Sequence, residues 1–118
     1  MSELLQDRTK MLALRVIQLV NSLPANDVGR VLGRQMLRSG TSVGANYRAA
    51  LRAKSRPDML NKLKIVEEEA DETAYWLELM LLGRVLPEER LRPLLTEVNE
   101  IVAMTVASIK TMRQNDRK

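Results

Sequence analysis

Histidine, cysteine and phenylalanine are all missing from these 118 residues. The first two absences remove much of catalytic chemistry. A zinc site of the Cys/His kind cannot form, and neither a histidine general base nor a cysteine nucleophile exists. Di-iron bundles built on Glu-x-x-His are excluded for the same reason. No disulfide can form, so a small fold must rely on its core. Aromatic rings are nearly absent: Tyr47, Tyr75 and Trp76 are the whole set. That argues against stacking platforms that read single strands. No apolar run reaches the ~18 residues of a membrane span. The N-terminus has an early acid, Glu3, and no charged-then-apolar order. The expectation is a cytoplasmic protein without a membrane partner, a metal or a cofactor, and not an enzyme.

What is present begins with charge. Lys+Arg is 19 and Asp+Glu 15, a net of +4. That mild excess permits a nucleic-acid partner without requiring one. The sum hides an asymmetry. Residues 1–56 hold ten Lys/Arg against three Asp/Glu, whereas residues 57–118 hold nine against twelve. A basic half thus faces an acidic half. The two can answer each other within a chain or between chains, or the basic half can answer an outside polyanion.

The length suits one domain, residues 1–118, able to bury about two-thirds of its unfolded surface. Leu, Ala, Arg, Glu and Met dominate, no strand-like alternation occurs, and four helical segments emerge, roughly 2–23, 27–54, 56–82 and 87–113. In the first, Leu5, Leu12, Val16, Leu19 and Leu23 share one stripe. Asn26 is a candidate N-cap for the second, and Ser55 with Pro57 and Asp58 for the third. Met59, Leu63, Val66, Ala70, Thr73, Leu77 and Leu81 form the inner stripe of the third helix, which Gly83 is placed to stop. Leu91, Leu94, Leu95, Val98, Val102, Thr105, Ile109 and Met112 form that of the fourth. Short connections between long amphipathic helices imply an all-α, antiparallel up-down four-helix bundle.

The second segment carries two further patterns. On an ideal helix Gly29, Gly33, Gly40 and Gly44 share an arc of about 60°. Such clustering suggests close approach by another helix; the alternative is a helix broken near Gly40. On the same wheel Arg30, Arg34, Arg38, Arg48, Arg52 and Arg56 fall within about 80°. Guanidinium forks match phosphate oxygens, so this face is a candidate nucleic-acid contact. The alternative is a solvated face, or one paired with carboxylates of a neighbour.

The third segment carries an acidic run from Glu67 to Glu72. Glu69 and Glu72 lie toward the core edge near Trp76, where a carboxylate should find a partner. Helix 2 offers its arginines and Asn46. Glu69-x-x-Glu72 with Glu97-x-x-Glu100 also resembles the paired acidic motifs of all-helical, Mg-dependent nucleotide pyrophosphohydrolases. That remote alternative is weakened because helix 4 phasing turns Glu97 and Glu100 away from its apolar stripe.

Two segments together resemble a known family. Ser42, Val43, Asn46 and Ala50 fit one motif, and Glu69, Ala70, Glu72, Thr73, Tyr75, Trp76 and Leu77 fit another. Both are similar to motifs of the small four-helix bundle proteins of intervening sequences in large-subunit ribosomal RNA genes. The likeness spans roughly residues 12–113. The family's usual Glu-Gly after the Asn motif reads Ala49-Ala50 here, which puts in doubt any role of that acid. An aromatic near the N-terminus is missing, and helix 2 is unusually rich in Arg. The resemblance implies a homopentamer in a ring or barrel. A related branch comprises the accessory variability proteins of diversity-generating retroelements, whose basic surface binds nucleic acid and a reverse transcriptase. Surplus apolar positions (Leu4, Met11, Leu14, Leu79 and Leu82) favour an interface, the alternative being an enlarged core.

The combined expectation is a non-catalytic homo-oligomer. It binds RNA or an RNA–DNA hybrid through Arg30, Arg34, Arg38, Arg48, Arg52 and Arg56, with a reverse transcriptase as a further partner. Asn46, Glu69, Glu72 and Trp76 are expected to be structural, fixing helix 2 on helix 3. The competing expectation is an oligomeric interaction scaffold that binds no nucleic acid.

Overall fold

The computed structural model describes residues 2–116. It contains four helices: α1 Ser2–Asn21, α2 Asp27–Leu51, α3 Arg56–Leu82 and α4 Glu88–Asp116. Each packs on the next in sequence, and α4 also meets α1. Connections of four or five residues leave successive helices no room to run parallel, so the bundle is up-down. It is an elongated rod of about 52 × 21 × 20 Å. No described helix is long and apolar enough to cross a membrane.

Local chemistry sets the helix ends. The Asn26 side chain accepts the Gly29 N–H at 2.8 Å and opens α2. The Ser55 hydroxyl accepts the Asp58 N–H at 3.2 Å and opens α3, where Pro57 loses no intrahelical bond. Helix α2 stops at Leu51, short of the expected residue 54, because the Arg52 N–H splits between the Arg48 and Ala49 carbonyls. Helix α3 ends in a tight loop in which the Val85 N–H bonds the Met80 carbonyl at 2.9 Å. The left-handed residue there is Arg84, at φ 53°, and not the neighbouring Gly83. Pro93 sits inside α4 without dividing it.

The core follows the apolar periodicity. Leu5, Leu12 and Val16 of α1 meet Met36 and Val43 of α2, Leu63, Leu77 and Met80 of α3, and Leu94, Val98 and Ile101 of α4. Helix α2 is unbroken through Gly40, and its glycine face is the seam with α1. A Cβ built on Gly40 would lie 2.7 Å from a Val16 methyl, and one on Gly44 would lie 3.2 Å from the Thr9 carbonyl oxygen. The small residues therefore set the α1–α2 distance. A buried polar pair marks the α2–α3 seam, where the Ser39 and Thr73 hydroxyls hydrogen-bond at 2.9 Å.

Candidate functional site

With the glycine face of α2 turned to α1 and its core face to the bundle, the arc next to the glycines is solvent-facing, and the arginines lie there. Arg30, Arg34, Arg38 and Arg48 are exposed on α2, and Arg52 is its C-cap. Arg56 is not on this helix. It is the first residue of α3, because Ser55 starts a new helix, so the row of six on one wheel is five and an outlier.

Carboxylates divide the row. Arg30 pairs with Asp27 one turn back, and Arg56 pairs with Asp116 of α4 at 2.7 Å. Arg38 reaches Glu69 at 3.1 Å and also bonds Glu72, both on α3. Among the described residues Arg34, Arg48 and Arg52 have no carboxylate partner. These three are the cations left to meet something else.

The paired members tie the bundle. Glu72 accepts from Arg38 and, at 3.0 Å, from the Trp76 indole N–H. Burial pushes the Glu72 carboxyl up, but these two donors outweigh it and hold the group below the usual carboxylate range. Bonding to Glu72, aided by the charge of Glu69, raises Arg38 in turn. Three of the residues expected to be structural, Glu69, Glu72 and Trp76, thus meet in one network with Arg38. Asn46 does not join it: its amide donates to the Ser42 carbonyl of its own helix at 2.9 Å.

A second network was not foreseen. Arg8 of α1 forms a two-pronged pair with Glu97 of α4, at 2.9 and 2.6 Å, and reaches Glu100 at 2.9 Å. These bonds, to Glu97 first, raise the Arg8 guanidinium further above its usual range. Glu97 is accordingly half-buried at the α1–α4 seam and does not point off the bundle as its phase on α4 implied. The sequence signal existed, an Arg beside the α1 stripe and acids three apart on α4, but nothing local assigns them to each other.

That pairing also corrects the Mg-dependent reading. Glu69 and Glu72 answer α2, whereas Glu97 and Glu100 answer α1, so the two motifs do not converge. Among the described residues no group of three or more acids is placed to hold a metal ion.

Between α1 and α2 lies a slot of about 150 Å³, lined by Gln6, Thr9, Ala13, Thr41, Gly44 and Ala45. Lys10 and the unpaired Arg48 also line it. It exists because Gly44 has no side chain. Its lining is mostly apolar and its mouth is cationic.

Comparison with known proteins adds a lineage. The model of the 23S rRNA-intervening sequence protein family matches residues 4–107. The chain is also similar to a crystal structure from Bacteroides thetaiotaomicron, of a protein with unknown function from the S23 ribosomal protein family. They share 37% identity at a TM-score of 0.87, over 92% of this chain and 97% of that one. No curated protein matches.

Proposed function

The chain belongs to the 23S rRNA-intervening sequence protein family, and from that premise we propose that it is a non-catalytic, self-associating accessory protein whose basic α2 face binds RNA. The observation that carries the reading is the solvent-facing row on α2, with Arg34, Arg48 and Arg52 free of carboxylates among the described residues. Arg30 sits beside them in an exposed pair with Asp27, which a phosphate can compete for because such pairs are worth little. In an assembly the row is repeated, so weak contacts act together. The finer form of the proposal is a homopentamer in the cytoplasm with RNA or an RNA–DNA hybrid as ligand and a reverse transcriptase as partner. Asn46, Glu69, Glu72 and Trp76 serve the fold in this reading.

The test is binding of a labelled RNA hairpin across a salt series. Affinity should be measurable at low salt and fall as salt rises, and Arg34→Ala should flatten that slope. Absence of binding at low salt, or indifference to salt, overturns the RNA reading. A second reading, a scaffold without nucleic acid, is favoured by one observation: Glu68, Asp71 and Glu78 on the outer face of α3 are also unpaired among the described residues. Under that reading the assembled wild type binds no RNA even at low salt.

A further inference from the structure

The outer face of α3 complements the slot face of α2 in shape and charge. Glu68, Asp71, Tyr75, Glu78 and Leu82 are exposed and recur three and four residues apart, which makes one straight stripe about 21 Å long. Leu82 is 80% exposed and Tyr75 53%. Tyr75 packs edge-on against Trp76, with ring centroids 5.2 Å apart, and Trp76 is in turn held by Glu72. The phenol is thus presented in a fixed direction, with acids on either side.

We infer that Tyr75 of one copy enters the Gly44 slot of a second copy, with α3 antiparallel to the neighbour's α2. This rests on the self-association proposed above, which both readings share. Facing positions of two antiparallel helices have residue numbers that add to a constant, because both rise equally per residue. Placing Tyr75 level with Gly44 and Ala45 fixes that constant at 119 or 120. At 119 Asp71 faces Arg48 and Leu82 faces Leu37, which is 39% exposed, and Glu68 lies one position from Arg52, which it faces at 120. Two free acids meet two free arginines, and an exposed leucine meets another. The parallel orientation, with a number difference of 30 or 31, brings Glu78 to Arg48 and Glu68 to Leu37 or the already paired Arg38, and sets Asp71 against Gly40 or Thr41, so it engages only one of the two free arginines with an acid. The slot is small and mostly apolar with a cationic mouth, which suits a ring flanked by carboxylates. The two faces differ, so the contact is head-to-tail and builds a closed ring or an open filament. It takes Arg48 and Arg52 and leaves Arg34 to RNA.

The absence of native cysteine supplies the test. Glu68→Cys and Arg52→Cys are introduced into the full chain, singly and together, and oxidised. Within one chain the two positions are about 20 Å apart along the α2–α3 pair, beyond the ~7 Å limit between bridged Cα atoms. Each single variant should stay unlinked, their mixture should give covalent dimers, and the double variant a ladder or closed ring on a non-reducing gel. Self-linking of the Glu68→Cys chain would show a symmetric contact and overturn the inference. Native mass gives an independent arm. Tyr75→Ala and Arg48→Asp should each lose the assembly while keeping wild-type helicity, and Arg48→Asp with Asp71→Arg should regain it. An assembled wild type that stays unlinked through the double variant, with Tyr75→Ala of unchanged mass, overturns this surface alone. A monomeric wild type overturns self-association itself.

Discussion

Gly40→Ala is the substitution that most directly tests how α1 and α2 meet. In an exposed helix interior the change stabilises by about 1 kcal/mol, since Gly sacrifices more backbone entropy than Ala. At Gly40 the new Cβ would stand 2.7 and 2.9 Å from the two Val16 methyls and 3.2 Å from its Cβ. Val16 is fully buried and β-branched, so its rotamer is nearly fixed within a helix and it cannot swing aside. Relief requires the helices to separate by several tenths of an ångström, along a seam where a Cβ on Gly44 would also lie close, 3.2 Å from the Thr9 carbonyl oxygen. Overpacking of this kind costs about 1–3 kcal/mol. Set against the propensity gain, Gly40→Ala should destabilise by about 1 kcal/mol.

The decisive measurement is a double-mutant cycle with Val16→Ala. That change alone removes two buried methyls and should cost about 2 kcal/mol. In its background the clash is gone and the methyl added at Gly40 fills part of the vacated space, so Gly40→Ala should now stabilise by about 1 kcal/mol. The sign reversal corresponds to a coupling of about 2 kcal/mol. Urea unfolding followed by far-UV circular dichroism and by Trp76 fluorescence, at one chain concentration, supplies all four corners. If Gly40→Ala stabilises equally in both backgrounds, Val16 does not pack on Gly40 and the glycine face has been given the wrong neighbour. Gly33→Ala is the internal control: its Cβ meets only the Leu23 and Val20 methyls at 3.2 and 3.4 Å, and the Leu23 one ends a flexible chain.

Two further outcomes follow from the loop after α3 and the α2–α3 network. Arg84→Gly should stabilise by about 1 kcal/mol, because Arg84 occupies the left-handed region at φ 53° that glycine adopts without strain; a lower urea midpoint would refute this. Glu72→Gln should lower the melting temperature at neutral pH, and the gap to wild type should close on acidification. The folded pKa of Glu72 lies below the ordinary 4.5, so its contribution is full above that value and is lost as pH falls through the lower folded value. A gap that stays constant from neutral pH into the acid range would refute the pairing.

What could be read from the residues was whatever repeats along one helix. The apolar stripe of α1 and the caps at Asn26 and Ser55 follow from spacing and local hydrogen bonding, and they place the core without reference to any other helix. Gly29, Gly33, Gly40 and Gly44 signalled a close neighbour but could not name it, since identifying α1 requires the register between helices. Arg8 with Glu97 and Glu100 depends wholly on such a register, across 89 positions of chain for the nearer acid, and local pattern holds no trace of it. The same gap explains the arginine row. Periodicity put six on one face, and apart from the local Arg30–Asp27 pair it takes the stop at Leu51 and the acids of α3 and α4 to separate those already neutralised from those still free.

That separation bears on function more than net charge does. A row of arginines that the chain itself had fully paired would favour no outside ligand, whereas this one is answered only in part. Arg38 and Arg56 are held by acids of the same chain, while Glu68 and Asp71 stay free one turn apart on α3, as Arg48 and Arg52 do on α2. An exposed Tyr75 stands between acids on α3, and the Gly44 slot has Arg48 and Lys10 at its side. The inner face of α2 demands glycine because α1 lies against it. Its outer face, unconstrained by the core, is where selection for a partner can act. If that partner is a second copy, the asymmetry between the basic and acidic halves is a property of the assembly, and of the three free arginines on α2 only Arg34 is left to RNA.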